Sequence, residues 1–420
     1  MSRENSEKNV KSRLWQFPWG YPESFLIAGI MIISGFIMQF AIGSGASMPA
    51  WPLNLVIIVV FIIYYILIHY FIKHPVLKWL SSTRAAIASV SAFTLMVMFL
   101  GFIPQGVDEG NLRFIDRIGL TSVTNSWAYL MCALYLLIVL GFTVMRRLNS
   151  FTLKNTAFIL NHAGLWLVVV AASLGSADMW RLTMELQASH PVTRAYDSRG
   201  NAFELGFGMT LMDFQIEEYP PELVLVNTVD YTLEIEKGGK LAIVKEGEKS
   251  QLENYAITIE RYLPFSRRFE GRKFDTTSMV GAARAAYVIA KDDNTGDIFE
   301  GWVSDGSFIY GATSLAVNDG MAIAMTKLRP KKYSSDIRLY HDMDNYEDFH
   351  IEVNKPAKMD GWKVYQTGYD EQMGRWSDRS IIELVKDPWL PVVYVGIFMI
   401  LLGTLYLLWM GKGRTKNERS

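Results

Sequence analysis

The chain has 420 residues, 50% hydrophobic and 20% charged, with 41 basic against 42 acidic side chains and a formal charge of −1. That balance offers no basic stripe for nucleic acid, and no nucleic-acid-binding motif accompanies it. A single cysteine, Cys132, excludes an intramolecular disulfide, a CxxC dithiol and a CxxCH haem-attachment site in this chain.

A polar head, residues 1–24, carries Arg3, Lys8, Lys11 and Arg13. The apolar run after it is longer than a signal-peptide core, so the start of the chain reads as a retained span. Runs 25–43 and 53–72 enclose the uncharged loop GSGASMPAW. Each is long enough for a bilayer, which takes roughly 20 apolar residues. Lys73, Lys78 and Arg84 separate them from the third run, 85–104. The fourth, 127–145, contains Cys132 and is followed by Arg146, Arg147 and Lys154. The fifth is 157–176, the sixth 389–410, and the tail 411–420 carries Lys412, Arg414, Lys416 and Arg419. Six spans place all four basic segments on one side, which predicts cytoplasmic termini and an extracytoplasmic segment 178–388. Trp15, Trp19, Trp51, Trp127, Trp180 and Trp389 fall near the predicted interfaces. The fold class is therefore a multi-pass α-helical membrane protein with a large β-rich extracytoplasmic domain between spans 5 and 6.

No Asp, Glu, Lys or Arg lies within the six runs, which argues against an ion-coupled transporter. The polar side chains left in or beside them include Gln39, Asn54, His69, Asn161 and His162. His162 sits about five residues into span 5, roughly 8 Å from the cytoplasmic boundary at 1.5 Å per residue. Neutral imidazole is a common metal ligand and haem axial ligand. The small residues Ala163 and Gly164 beside it leave room for a planar macrocycle or a neighbouring helix. The competing reading is a histidine that hydrogen-bonds to another helix, with Asn161 doing the same. His69 ends span 2 near the same face, where it either faces His162 or is an interfacial side chain.

The external segment reads mostly as β. YTLEIEKGGKLAIVKEG (231–247) and AAYVIAKDDNTGDIFEGWV (285–303) each place turn residues between alternating apolar runs, a hairpin pattern. His341 and His350 lie in the acidic stretch HDMDNYEDFH, which matches no metal motif and reads as a solvated loop; His190 stands apart. GxSxG, HExxH, P-loop and dinucleotide fingerprints are absent.

Five pieces in order resemble the ResB/CcsB family of cytochrome c biogenesis proteins. They are LSSTRAAIASVSAFTLMVMFLGFIPQG (80–106), span 4 with FTVMRRLNSF, LNHAGLWLVVVAASLGS (160–176), GWKVYQTGYD (361–370) and IIELVKDPWLPVVYVGIFMILLG (381–403). The resemblance covers roughly residues 80–410. It makes 79–177 three core spans, 178–388 the external domain and 389–410 the last core span. The two spans within 25–78 are additional, and the Trp-rich segment of the family's CcsA/ResC partner is absent.

The resemblance implies a subunit of a haem-exporting cytochrome c synthase in a bacterial inner membrane, with its external domain periplasmic. Its partners would be a CcsA/ResC-like membrane protein, apocytochrome c and lipid. Its cofactor would be haem b in transit, with His162 as axial ligand and His69 as a second candidate. The synthase (haem lyase) activity would need the partner. Pro104 and Gln105 are read as shaping the exit of span 3, and Asp387 and Pro388 as capping the start of span 6. The alternative is a cofactor-free assembly subunit.

Overall fold

The structure is a computed structural model that describes residues 15–106, 113–149, 151–228, 241–269, 273–318, 320–342 and 344–417. The chain divides into two compact units, Met1–Met179 with Asp387–Ser420, and Trp180–Lys386.

The first unit is helical: α1 (Tyr21–Ile42), α2 (Leu53–Phe71), α3 (Pro75–Leu80), α4 (Thr83–Phe102), α5 (Phe114–Arg117), α6 (Trp127–Leu148), α7 (Thr156–Leu174) and α8 (Leu390–Asn417). Six of these, all but α3 and α5, are long and apolar enough to cross a membrane. They are the six predicted runs, with ends moved by a few residues. α1 starts before its predicted run because the Glu23 carboxylate accepts the Gly20 N–H at 2.8 Å, a cap that draws a charged residue into the first turn.

α6 is the axis of the bundle. Ala128, Cys132, Tyr135, Leu136, Val139 and Leu140 are all buried, and α1, α2, α4 and α7 pack around it. A helix apolar on every side belongs inside other helices.

The predicted span ends hold. Asp387 accepts the backbone N–H groups of Trp389 and Leu390, each at 3.0 Å, and so caps α8. Gln105 donates to the Ile103 and Leu120 carbonyls at 2.7 and 3.2 Å and accepts the Val123 N–H at 3.0 Å. It thereby ties the exit of α4 to the turn before α6.

α7 and α8 approach closely. A Cβ on Gly164 would lie 2.7 Å from the Gly396 carbonyl oxygen, and one on Gly396 would lie 2.8 Å from the Gly164 carbonyl oxygen. Thr404 donates to Asn161 across the same contact at 3.4 Å. The room beside Gly164 is thus taken by a helix backbone. Apolar side chains gain little by meeting in lipid, so close packing of small residues and interhelical hydrogen bonds hold such pairs.

Among the described residues the second unit has three sheets, and every pairing in them is antiparallel. The eight-stranded sheet runs, edge to edge, Asn345–Glu352, Pro330–Asp342, Ala202–Glu218, Val192–Tyr196, Trp180–Gln187, Arg379–Lys386, Trp362–Tyr369 and Ala357–Met359. Its first and last strands in sequence lie side by side, with Trp180 opposite Lys386. Leu182 faces Leu384 and Met184 faces Ile382, and all four are buried, as a two-residue repeat requires of a sheet with one covered face.

The predicted hairpin is present: Ala283–Asp292 pairs with Ile298–Ser304, and Asp292 accepts the Asn294 N–H at 2.8 Å in the turn. With Tyr255–Arg268, Lys249–Leu252 and Phe274–Thr276, which pairs with the end of Tyr255–Arg268, these strands form the second sheet. The third joins Leu315–Ala316, Met321–Met325, Glu222–Asn227 and Ala242–Ile243. Leu225, Ile257, Val288, Val303 and Ile323 belong to one core shared by the second and third sheets. Residues 231–240 of the other predicted hairpin lie outside the described residues; Ala242–Ile243 pairs with Glu222 and Leu223.

The stretch HDMDNYEDFH is no loop. Pro330–Asp342 and Asn345–Glu352 form a hairpin at the sheet edge, with Asp336 opposite His350 and Arg338 opposite Asp348. Opposite charges pair across the strands, the Arg338 guanidinium donating twice to Asp348 at 2.6 and 2.7 Å. This is how a highly charged segment makes a soluble edge strand.

A buried ion network joins the sheets. Arg284, in the second sheet, donates from Nε and from a terminal nitrogen to Asp305 at 2.9 and 2.7 Å. It also lies 3.5 Å from Glu218, at the end of the long strand of the first sheet. Arg375 donates to the same Glu218 through both Nε and a terminal nitrogen, and to the Pro264 carbonyl at 3.1 Å. The Arg284 and Asp305 side chains are only 3% and 8% exposed. Removing one partner leaves a buried charge uncompensated. Arg284→Ala should therefore cost the β unit about 3–5 kcal/mol. Arg194→Ala, which breaks a pair 70% and 61% exposed, should cost about 0–1 kcal/mol. Denaturant dependence of protease susceptibility, measured on the full-length protein, compares the two.

Candidate functional site

His162 sits in the second turn of α7 and is half-buried. Its Nδ1 lies 2.8 Å from the Phe158 carbonyl oxygen, one turn back on the same helix. A carbonyl only accepts, so Nδ1 carries the proton and the lone pair is on Nε2. The Phe158 ring stacks on the imidazole at 3.8 Å between centroids, 21° from parallel. The Arg147 guanidinium lies over that phenyl ring, 4.9 Å from its centre, and its Nε is buried with no hydrogen-bond partner.

The hydrogen bond of His162 is made within its own helix, whereas Asn161 is the side chain that reaches across to α8. One residue along a helix turns the side chain by about 100°. His162 is thereby carried off the face that Asn161 and Gly164 give to α8. Of the two occupants expected beside Gly164, a macrocycle or a neighbouring helix, the structure has the helix: α8 lies there.

His69 is not brought to His162 by any contact among the described residues. Its Nε2 accepts from the Asn149 side-chain amide at 2.5 Å, and Tyr70 donates to the other end of that amide at 3.2 Å. His69 instead lines a cavity with Lys73, His74, Lys78 and Arg146.

The histidines of the β unit are dispersed. His190 is hydrogen-bonded to Ser189 at 2.8 Å, His341 lies 3.4 Å from Asp360, and His350 lies 2.6 Å from Asp336. No group of three or more metal-ligating side chains occurs among the described residues. The Tyr-Gln strand keeps its Gln366 buried, donating to the Ser380 hydroxyl and the Gly368 carbonyl, both at 3.0 Å.

Sequence reasoning missed a second polar centre, at the other end of α7. Asp178 accepts the Trp51 N–H at 2.7 Å on one oxygen. On the other it accepts the Asn54 side-chain amide at 2.7 Å and the Trp389 indole N–H at 2.6 Å. Asn54 is fully buried and also donates to the Leu174 carbonyl at 3.2 Å. One carboxylate thus joins the start of α2, the end of α7 and the start of α8. Its donors are 124 to 211 residues away in sequence, so only Asn54, a lone amide in an apolar run, signalled it.

Residues 284–380 match the model of the ResB-like family. The match is consistent with the ResB/CcsB resemblance. It begins at Arg284 and includes Asp305, Gln366 and Arg375. No curated protein matches the chain.

Asp178→Ala should leave three donors without their acceptor, each unsatisfied group costing about 1–3 kcal/mol. Thermal unfolding in detergent should show a clear loss of stability. Asp178→Asn, which keeps one acceptor oxygen, should fall between that variant and the parent.

Proposed function

We propose that this chain is the haem-handling subunit of a cytochrome c synthase. It takes haem b from the cytoplasmic side of a bacterial inner membrane and helps deliver it to CxxCH thiols of apocytochrome c outside. It acts with a CcsA/ResC-like membrane partner, and the β unit is the part that meets apocytochrome c or that partner.

The observation that carries the reading is the state of His162. Its Nδ1–H is held by a backbone carbonyl, which leaves Nε2 as the ligating nitrogen. Histidines that bind metals are commonly fixed in this way by a carbonyl on the second nitrogen. Arg147 adds a cation with an unpartnered N–H close by, suited to a propionate. These residues fit a haem held from one side. Bound haem would supply the iron that the imidazole grips; the chain's own part is to orient that imidazole and to place a cation near the porphyrin edge. Since α8 fills the space at Gly164, haem would have to meet His162 on a face of α7 other than the one given to α8. The same filled space favours a second reading, a cofactor-free assembly subunit in which α7 serves only to pack.

Haem absorbance of the protein purified with its partner separates the readings. His162→Ala and His162→Gly should lose most of the bound haem, and added imidazole should restore it to the Gly variant. His162→Asn, which can still hydrogen-bond but ligates iron poorly, should behave like Ala. Unchanged spectra in all three would remove His162 from the haem site.

A further inference from the structure

Two adjoining cavities, of about 560 and 580 Å3, open at the end of the bundle where α2, α3 and α4 meet. They share Pro75, Lys78 and Arg146. The first adds Arg84, the Ser82 and Thr83 segment that begins α4, and an aromatic wall. The second adds Lys73, His69 and His74.

Their electrostatics are one-sided. Lys73, Lys78 and Arg84, from one short segment, and Arg146, from the end of α6, line these cavities, while among the described residues no Asp or Glu lines either one. None of the four makes an ion pair among the described residues. Arg84 donates to the Trp19 carbonyl at 3.0 Å. The nearby Glu23 carboxylate is committed to the Gly20 N–H.

The wall is rigid. Trp79 is buried, donates to the Ser24 hydroxyl at 2.8 Å and meets Trp19 edge-on at 5.0 Å. Beside the cavities the apolar side chains Tyr21, Phe71 and Ile72 are exposed. Convergent cations with no carboxylate among the described lining residues, at the polar end of an apolar bundle with tryptophan at the rim, match the chemistry of an anionic lipid headgroup.

We propose that these cavities bind the headgroup of an anionic phospholipid carrying two phosphates, one in each cavity, with Lys78 and Arg146 between them. Tyr21 of the additional helix α1 lines the first cavity and His69 of α2 the second, which gives the N-terminal pair a binding role separate from that of His162. The inference does not rest on haem binding.

The test uses full-length protein stripped of lipid in detergent and follows thermal unfolding against added cardiolipin, phosphatidylglycerol, phosphatidylcholine or sodium phosphate. Cardiolipin should stabilise at the lowest concentration and phosphatidylglycerol at a higher one, with no effect of phosphatidylcholine or sodium phosphate at matched concentrations. The double variant Lys78→Gln/Arg146→Gln should need about thirty-fold more cardiolipin, about 1 kcal/mol for each charge removed. Lys78→Arg/Arg146→Lys should bind nearly as the parent does, and serves with single Gln variants if the double variant does not fold.

Equal stabilisation by phosphatidylcholine, or a cardiolipin response unchanged in the Gln variants, overturns the proposal. Stabilisation by sodium phosphate alone, lost in the Gln variants, replaces the lipid by a free anion and also overturns it. So does haemin binding to these cavities in preference to cardiolipin.

Discussion

The close approach of α7 and α8 is the contact on which the rest of the chain depends. The β unit is inserted between these two helices, and its first and last strands pair, Trp180 against Lys386. The two chain crossings therefore leave and return side by side. Gly164 and Gly396 let the helix backbones touch, Thr404 and Asn161 add a hydrogen bond, and Asp178 joins the ends of the pair through the Trp389 indole. In lipid, where apolar contact alone gives little preference between neighbours, such close packing and polar pairing select one partner helix.

α7 consequently has two jobs on two faces. The face of Asn161 and Gly164 is spent on α8. His162, a third of a turn away, is left with a fixed tautomer and a free nitrogen. The small residues beside a candidate ligand serve the fold, and the ligand itself is excused from it. Division of this kind keeps a polar ring in the membrane without using it in the contact with α8.

The β unit shows the same economy in a different medium. The second and third sheets share one apolar core, but apolar packing has no directional preference to orient the first sheet against the second. The chain Asp305–Arg284–Glu218–Arg375 supplies that direction, because a buried guanidinium is tolerated only where its carboxylates are in place. The segment that matches the ResB-like family starts at Arg284 and runs past Arg375. It thus holds three of the four members, while Glu218 lies upstream of it.

What the sequence determined by itself is whatever is decided within a few neighbouring residues. Six uninterrupted apolar runs became six helices, Asp387 became a cap, Gln105 became a turn clamp, and DDNTG became a hairpin turn between two strands. His162 was legible as a candidate because one imidazole in an apolar run is conspicuous. Its tautomer was not, since that depends on the rotamer that brings Nδ1 to Phe158. Tertiary structure alone decided the use of Gly164, the convergence of four segments on Asp178, the pairing of an acidic stretch into a hairpin, and the meeting of Lys78 with Arg146. Each of these is an agreement between groups distant in the chain, and neither periodicity nor composition records which distant group will arrive.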